Sequence, residues 1–579
     1  MARSRSSRPM ERIVPMGYVA VAIALGALLL PTILRPPQDL QNASAAFSPD
    51  APPDEPPPEA LLQSLRAASS STAGSKPPTV EEVVVEEEET PPEAPAKRPR
   101  PPRSGCFGDP PRQTESLYSA LCVPAWTGGP GENGGATSKG VTGEAINIAV
   151  GVPTSSTVEE APLGRSYEPD DQATERELKT WQMYFNERFE FYGRYLQFNI
   201  KKVDSTDENQ ARAKVREAAE EGNFAYIGHY ATTNAAATNE AIKNGMVTFA
   251  FDFNPAEFYK DNHPYAYSFE MDSEQLRILA SEYLCKQFIG KPLGENNLNE
   301  RQDISPAFDY NGPRKWGLIV YQDELRKGAR QKSEAAMAKC GAKYEEVVEY
   351  NLNDDSSKIA GAVTKLRQAG VTTIVVGVDP ITPVVLAYEA ERTGYFPEWF
   401  CAAGCSTNST GRLMPDNQAN HFITFSAEEI PRVDADKDWY RAYKEIDPEG
   451  EPDDDYFRDL QQLSGGIQHA GPNLTPQTFW QGLRKQPCRT PDPIWSIGGC
   501  YRDPDPRSNV YYLGDYTYSD YASFMWFDNA GKDPNSSSAG AWCYMNMGAR
   551  YRAGEIPTET FPFRKPDQCI FTPPRGVQG

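Results

Sequence analysis

Histidine and closely spaced cysteine pairs, the usual ligands of zinc, are scarce in this chain. Its 579 residues include four histidines, and no two cysteines stand in a C-x-x-C pair. The nearest case, CAAGC, has three residues between its sulfur atoms. Structural zinc sites and thioredoxin-like redox motifs need such closely spaced ligands. We therefore expect no metal site in this protein.

Common catalytic signatures are also missing. The sequence contains no G-x-S-x-G elbow, no G-x-x-x-x-G-K-[ST] phosphate loop and no H-E-x-x-H zinc motif. His263, His421 and His469 stand in contexts that suggest no Ser/His/Asp set. We expect neither catalysis nor a cofactor. An exported enzyme on a Rossmann-like scaffold is the least favoured of three functional hypotheses, the other two being a solute-binding and a ligand-sensing protein. Turnover of a bound solute would support it.

Positive charge is in short supply as well. The sequence has 58 Lys and Arg against 80 Asp and Glu, which gives a net charge of -22. A field of that sign repels phosphate backbones and mainly favours solubility. This charge argues against nucleic acid as a partner.

Residues 13–34 contain no charge at all. The sequence IVPMGYVAVAIALGALLLPTIL would form a helix of ~33 Å, and a hydrocarbon core is ~30 Å thick. Because basic residues precede it, we predict a single-pass anchor in a bacterial cell membrane. Residues 1–12 would be cytoplasmic and the large C-terminal domain extracytoplasmic. The alternative is a signal peptide cleaved at NASAA (42–46), whose apolar region would normally be shorter, about 7–15 residues.

Residues 35–104 lack aromatic side chains, with the exception of Phe47. The segment is rich in Pro, Ser, Ala and Glu, and it cannot bury enough apolar surface to offset its ordering entropy. We predict a disordered Pro/Glu-rich linker between the transmembrane helix and the globular part. A flexible segment of this length spans about 45 Å on average, and its prolines and like charges favour extension.

The ten cysteines all follow the predicted anchor. An even number in an exported protein indicates disulfides, and we expect five. The sequence does not determine their connectivity; pairing in sequential order is our working assumption. The residues are Cys106, Cys122, Cys285, Cys340, Cys401, Cys405, Cys488, Cys500, Cys543 and Cys569.

From residue 105 onward, apolar strands alternate with amphipathic helices. Strands are predicted near residues 146–151, 195–203, 224–227 and 246–251, with capping boxes at Thr174/Glu177 and Ser205/Glu208 before two of the helices. The pattern restarts at KWGLIVY (315–321) and continues through VTTIVVGV (371–378). Two successive βαβαβ runs predict two parallel sheets covered by helices. We therefore expect an α/β fold with two Rossmann-like lobes.

Ligands of open α/β sheets bind beyond the carboxyl ends of the strands. The residues that follow the predicted strands are our candidate ligand-binding set, although Thr232, Thr233, Asp323 and Asp379 could equally cap the helices that follow. Backbone N–H groups at such a helix start favour a carboxylate or another anion. The set comprises Ser155, Ser156, Tyr230, Ala231, Thr232, Thr233, Phe251, Asp252, Tyr321, Asp323 and Asp379.

The order of these elements resembles the type I periplasmic solute-binding proteins, the leucine/isoleucine/valine-binding class of bacterial ABC importers. The likeness spans roughly residues 143–485 and is carried by three stretches. These are VDSTDENQARAKVREAAEEGNFAYIGHYATTNAAATNEAIKNGMVTF, the segment from KWGLIVYQDELRKGARQ to VTTIVVGVDP, and GIQHAGPNLTPQTFWQGLRK.

The resemblance implies two lobes that close over a small solute. Residues 230–233 and the next loop would bind a ligand carboxylate in lobe one, and Tyr321 and the loop after Val378 would close from lobe two. Phe251 and Asp252 depart from the small and hydroxyl residues usual there, and an acid would repel a carboxylate. Lobe one would comprise about 143–268 with part of 427–510. Lobe two would comprise about 269–426 with part of 511–579.

These observations favour a membrane-tethered binder of a small polar solute, an amino acid or a related compound, that delivers it to an ABC-type permease. The alternative is a ligand-sensing or protein-interaction module on the same fold without transport. A permease and ATPase encoded beside it would favour the first hypothesis, and a sensor kinase the second.

Overall fold

The computed structural model describes most of the protein that follows residue 105. The described residues are 106–129, 131–153, 171–203, 207–228, 234–249, 254–293, 312–321, 328–350, 356–377, 382–403, 405–452, 456–502, 516–533, 538–559, 561 and 569–571. The predicted cytoplasmic tail, membrane anchor and linker lie outside them. Among the residues described, no helix is both long and apolar enough to span a bilayer.

The first sheet has five parallel strands in the order β2-β1-β3-β4-β5. The first four in sequence coincide with predicted strands, because continuous apolar runs such as AINIAVGV can be buried on both faces of a sheet. The two-residue β5 was not predicted. The strands are β1 (Ala145–Pro153), β2 (Tyr195–Val203), β3 (Ala225–Gly228), β4 (Val247–Phe249) and β5 (Ala266–Tyr267).

The second sheet has eight strands, of which β9, β8, β10, β11 and β12 are parallel. The C-terminal region adds β13, β14 and β15, which run antiparallel. A separate two-stranded ribbon consists of β6 (Pro292–Leu293) and β7 (Gly312–Pro313). The strands of the second sheet are β8 (Trp316–Tyr321), β9 (Tyr344–Tyr350), β10 (Thr373–Gly377), β11 (Glu398–Ala403), β12 (Phe422–Ser426), β13 (Ala522–Lys532), β14 (Ala539–Tyr544) and β15 (Arg550–Tyr551).

Helices flank both sheets, with a short 3-10 turn at Asp434–Asp436. Those of the first unit are α1 (Asp171–Arg188), α2 (Glu208–Glu220), α3 (Asn234–Lys243), α4 (Ala256–Asp261), α11 (Asp438–Ile446), α12 (Phe457–Ala470) and α13 (Pro476–Leu483). Those of the second are α5 (Ser273–Gln287), α6 (Ala329–Lys339), α7 (Ser356–Gln368), α8 (Thr382–Arg392), α9 (Asn408–Leu413), α10 (Asp416–Ala419) and α14 (Met545–Gly548).

Two predicted helix starts were wrong. Helix α1 begins at Asp171, so Thr174 lies inside its first turn, and Glu177 accepts a hydrogen bond from Trp181 Nε1 instead of closing a capping box. Helix α2 is capped by Asp207, whose carboxylate accepts from the N–H groups of Asn209 and Gln210. Aspartate competes well for this position, because its oxygen satisfies the same backbone donors as serine does.

The buried apolar residues form separate cores under the two sheets. The cores of the first unit take residues from 118–269 and 439–518, and those of the second take residues from 271–430 and 522–571. Helices α12 and α13 pack so closely in the first unit that a Cβ on Gly482 would stand 2.1 Å from the carbonyl oxygen of Gly466. The α/β prediction with two large sheets is confirmed, and we call the two units lobe one and lobe two. The expectation that both sheets are parallel was wrong for the second, because the C-terminal strands join it antiparallel.

The predicted five disulfides are present. Each links cysteines that neighbour one another in sequence: Cys106–Cys122, Cys285–Cys340, Cys401–Cys405, Cys488–Cys500 and Cys543–Cys569. No cysteine is left unpaired in the described part of the protein. Cross-links of this kind restrict the unfolded state and suit an oxidising compartment.

Candidate functional site: the strand ends and the crossings between lobes

In lobe one, the strand order reverses between β1 and β3. The backbone goes from β1 to its neighbour β2 on one side, and then to β3 on the other side. Gly151 of β1 is in register with Gly228 at the end of β3. Segments 154–170 and 229–233 therefore begin from adjacent strands, at a topological switch point where α/β sheets bind ligands.

Lobe two repeats this arrangement around β8. Its neighbours are β9 on one side and β10 on the other, and Gly377 of β10 is in register with Val320 of β8. Segments 322–327 and 378–381 start from these two strand ends. The sequence predicted polar candidates at this position in both lobes, and the strand order brings their starting points together in each sheet.

Tyr321 is the one candidate ligand residue that falls within the described part of the protein. It ends β8 and is in register with Tyr350 of β9, with their ring centroids 5.6 Å apart. Its side chain is half-buried, so a tyrosine stands at the switch point of lobe two. The remaining candidates stay predictions, because Ser155, Ser156, Tyr230, Ala231, Thr232, Thr233, Phe251, Asp252, Asp323 and Asp379 lie outside the described residues.

Three segments connect the lobes. We call residues 268–272 crossing one, 427–437 crossing two and 516–521 crossing three. Crossings one and two leave from the carboxyl ends of β5 and β12, and crossing three enters β13 beside Ser426, the last residue of β12. All three join their sheets at or beside carboxyl strand ends, so both switch points lie on the side where the lobes meet.

Crossings one and three form a short parallel ribbon. Ser268 N donates to Tyr516 O at 3.2 Å, and Tyr518 N donates to Ser268 O at 3.0 Å. Ser519 donates to Phe269 O through both its N–H, at 3.0 Å, and its hydroxyl, at 2.8 Å. Sequence reasoning missed this pairing, because its two partners are about 250 residues apart and neither has a strand pattern of its own.

Crossing two is held by two arginines, the half-buried Arg458 of lobe one and the buried Arg550 of lobe two. Arg458 of α12 donates to both oxygens of Asp438, at 2.7 and 2.8 Å, and to Glu429 at 3.1 Å. Arg550 of β15 donates to the carbonyl oxygen of Glu428 at 2.6 Å. Burial alone would raise the pKa of Asp438, but the Arg458 charge and its hydrogen bonds lower it to about 2. Asp438 is therefore a carboxylate throughout the physiological range.

Crossing one contains two carboxyl groups with the opposite behaviour. Burial, assisted by the neighbouring Glu428 and Asp459, raises the pKa of Glu270 well above its usual range, against the lowering influence of Arg458 and Arg550. Burial also raises the pKa of Asp272 to about 7, although Asp272 caps α5 and accepts from the N–H groups of Glu274 and Gln275. The junction therefore holds a permanent ion pair next to titratable acids.

The three described histidines make local contacts. The His263 ring packs against Trp480 and Tyr516, His421 Nδ1 lies 3.3 Å from Pro397 O, and His469 Nε2 lies 3.2 Å from Leu121 O. Burial lowers the pKa of His263 and of His469. Within the described ranges, no group of three or more His, Cys, Asp or Glu is placed to hold a metal ion. The contacts of these histidines are structural, and none of the three belongs to an assembled catalytic set among the described residues.

No protein-family model matches this sequence, and no curated protein matches it. Solved structures similar to it include substrate-binding proteins of ABC transporters and a type 1 periplasmic binding protein from Bordetella pertussis Tohama I.

Three of these structures illustrate the range. A fatty acid ABC transporter substrate-binding protein from Thermomonospora curvata is 13% identical, with a TM-score of 0.46, covering 72% of this protein and 97% of its own length. An ABC transporter substrate-binding protein from Desulfitobacterium hafniense in complex with leucine is 14% identical, with a TM-score of 0.43; the match covers 69% of this protein and 100% of the other. A solute-binding protein of an ABC transporter from Rhodopseudomonas palustris HaA2, in complex with p-hydroxybenzoic acid, is 10% identical, with a TM-score of 0.48; the match covers 72% of this protein and 99% of the other. The strand order and the crossings, rather than these likenesses, are the basis of the proposals below.

Proposed function

We propose that this protein is an extracytoplasmic solute-binding protein that closes two lobes over a small polar solute and delivers it to an ABC-type permease. Residues 13–34 would hold it in the membrane, and residues 35–104 would keep the lobes clear of the surface. The division is the one that the sequence predicts, with lobe one near 143–268 and part of 427–510, and lobe two near 269–426 and part of 511–579.

The observation that supports this proposal best is the pair of matching switch points. In each sheet the strand order reverses once, next to β1 in lobe one and next to β8 in lobe two. The carboxyl ends of these strands lie on the same side of the sheet as the crossings. A solute held there would contact loops of both lobes at once, and binding energy from both sides is what draws two domains together. The candidate residues 155–156, 230–233, 251–252, 321, 323 and 379 would supply those contacts.

A thermal-shift screen of the full-length protein in detergent tests the proposal. The panel comprises amino acids, amides, polyamines, sugars and nucleosides. A solute at 100 times its dissociation constant stabilises the folded state by about 2.7 kcal/mol, which is a visible shift in melting temperature. We expect at least one class to produce it. Thr232→Val or Asp252→Asn should abolish the shift, whereas Lys343→Ala, at an exposed lysine, should keep it.

The two site variants also distinguish the type of ligand. Loss with Asp252→Asn but not with Thr232→Val would indicate a cationic solute, and the reverse would indicate a carboxylate. A panel without any hit would contradict solute capture, and the protein-interaction alternative would then be preferred. Hits that survive both site variants would move the site away from the switch point of lobe one.

A further inference from the structure

The first described segment of the protein folds back on itself before β1 begins. Residues 106–122, which we call the strap, are closed by the Cys106–Cys122 disulfide. Phe107 and Arg112 exchange backbone hydrogen bonds of 2.9 and 2.8 Å, and Arg112 Nε donates to Ser116 O at 3.1 Å. The strap is therefore a compact loop with its own cross-link.

The strap docks on lobe one through polar contacts with α12. Gln468 Nε2 donates to Leu121 O at 2.7 Å, and Gln462 Nε2 donates to Tyr118 O at 3.3 Å. Gln113 Nε2 adds a hydrogen bond of 2.6 Å to Arg188 O at the end of α1. These contacts tie the strap to the body of lobe one.

Tyr118 carries the strap into the junction between the lobes. Its side chain is 2% exposed, and its ring meets Phe269 of crossing one and Tyr518 of crossing three edge-on, at centroid distances of 5.6 and 5.9 Å. Phe269 and Tyr518 stack on each other at 4.9 Å. One ring of the strap therefore holds a stacked pair of rings from two crossings.

The same ring is linked to crossing two. The guanidinium carbon of Arg458 lies 4.4 Å from the Tyr118 ring centroid, and Arg458 binds Glu429 and Asp438. The Tyr118 hydroxyl accepts a hydrogen bond from Ile497 N at 3.1 Å. Tyr118 thus has contacts that reach all three connections between the lobes.

Domain hinges work because a few residues absorb large changes of φ and ψ. Phe269 and Tyr518 pack with Tyr118 in the lobe-one core, so the strap fixes the lobe-one ends of crossings one and three. A rotation of lobe two must then be absorbed by the crossing residues that follow these rings, unless the contacts with Tyr118 break. We propose that the strap is a hinge brace, with Tyr118 limiting how far the lobes open. This inference rests on the proposed function in one respect, namely that the lobes open and close.

The brace is tested by the distance between the lobes in the full-length protein in detergent, without any solute. Spin labels at Lys179→Cys in lobe one and Lys343→Cys in lobe two replace lysines whose side chains are 72% and 78% exposed. Tyr118→Ala should shift the distance distribution to longer values and broaden it. Trp126→Ala is the matched control, because Trp126 packs edge-on against Tyr192 of lobe one, and its distribution should equal that of the parent.

A second variant covers the case in which Tyr118→Ala does not fold. Tyr118→Leu keeps most of the apolar volume but removes the ring edges that meet Phe269 and Tyr518, and it should also broaden the distribution. The hinge-brace proposal is wrong if the folded Tyr118 variant has the same interlobe distance distribution as the parent, or if Trp126→Ala changes that distribution equally. Since no solute is present, this result is independent of the thermal-shift screen, and either proposal can fail alone.

Discussion

Lobe one consists of five parallel strands, whereas lobe two adds three antiparallel strands to its parallel core. The two lobes share one arrangement. The next two strands in sequence lie on opposite sides of β1 in lobe one and on opposite sides of β8 in lobe two. They differ in what completes them. Lobe one is finished by α11–α13 and the strap, and lobe two by the C-terminal β13–β15. Lobe one is completed after the second crossing, and lobe two only after the third.

The protein also contains two arginine–carboxylate networks of similar chemistry, one fully buried and one partly buried. In lobe two, Arg314 donates to both oxygens of Glu398, at 2.8 and 3.0 Å, with both side chains at most 2% exposed. At the junction, Arg458 makes the equivalent pair with Asp438 and reaches Glu429 as well. One network lies within a single lobe and the other connects a crossing to a lobe, so replacing the two arginines separates stability from lobe geometry.

The largest effects are expected from these arginines. Arg314→Met should destabilise the protein by about 3–5 kcal/mol, because it leaves the buried Glu398 without its charged partner. Arg458→Met should cost less, because its carboxylates are partly exposed and Glu429 keeps its ion pair with Arg432. Chemical denaturation of the full-length protein measures this. In the spin-label experiment Arg458→Met should alter the interlobe distance distribution, and Arg314→Met should not. Equal distributions for both variants would show that crossing two is not part of the hinge.

The acids of crossing one predict a smaller effect, which depends on pH. The pKa of Asp272 in the folded protein is about 7, above its usual 3.8, so folding favours the protonated form. Its contribution to stability is therefore fully present below about pH 4 and is lost as pH rises toward 7. At about 1.4 kcal/mol per pKa unit, the loss is at most about 4 kcal/mol.

Asp272→Asn isolates that contribution. Asparagine caps helices as well as aspartate does, so the variant keeps the α5 cap and removes the titration. We expect the decline in unfolding free energy between pH 4 and pH 7.5 to become shallower than in the parent. Thr475→Ala removes a cap that does not titrate and serves as the control, with the same pH dependence as the parent. An identical slope in Asp272→Asn would contradict the raised pKa.

Local patterns in the sequence predicted most of the parallel strands, but neither the antiparallel strands β13–β15 nor the junction. Strands such as VTTIVVGV are recognisable because β-branched runs of that length are buried on both faces of a parallel sheet. The contacts of Tyr118 with Phe269 and Tyr518 join residues about 150 and 400 positions apart, and no periodicity encodes them. The carboxyl-end rule placed Tyr321 correctly at a strand end, but it gives no side-chain direction for the other candidates.

The smallest effects are expected from helix caps, and they compare the lobes once more. In lobe one, Thr475 and Thr478 form a capping box ahead of α13, with hydrogen bonds of 2.8 and 3.1 Å between each N–H and the other hydroxyl. In lobe two, Thr407 caps the six-residue α9 with one hydrogen bond, from Thr410 N at 3.2 Å. Cap removal typically costs about 1 kcal/mol. We expect Thr475→Ala to lower the free energy of unfolding more than Thr407→Ala does, because α13 also carries the buried Phe479 and Leu483 of the lobe-one core. Chemical denaturation measures both free energies of unfolding. A larger loss in Thr407→Ala would mean that α9, which binds Trp542 of β14 through Thr407 and Asn408, contributes more to stability than α13 does.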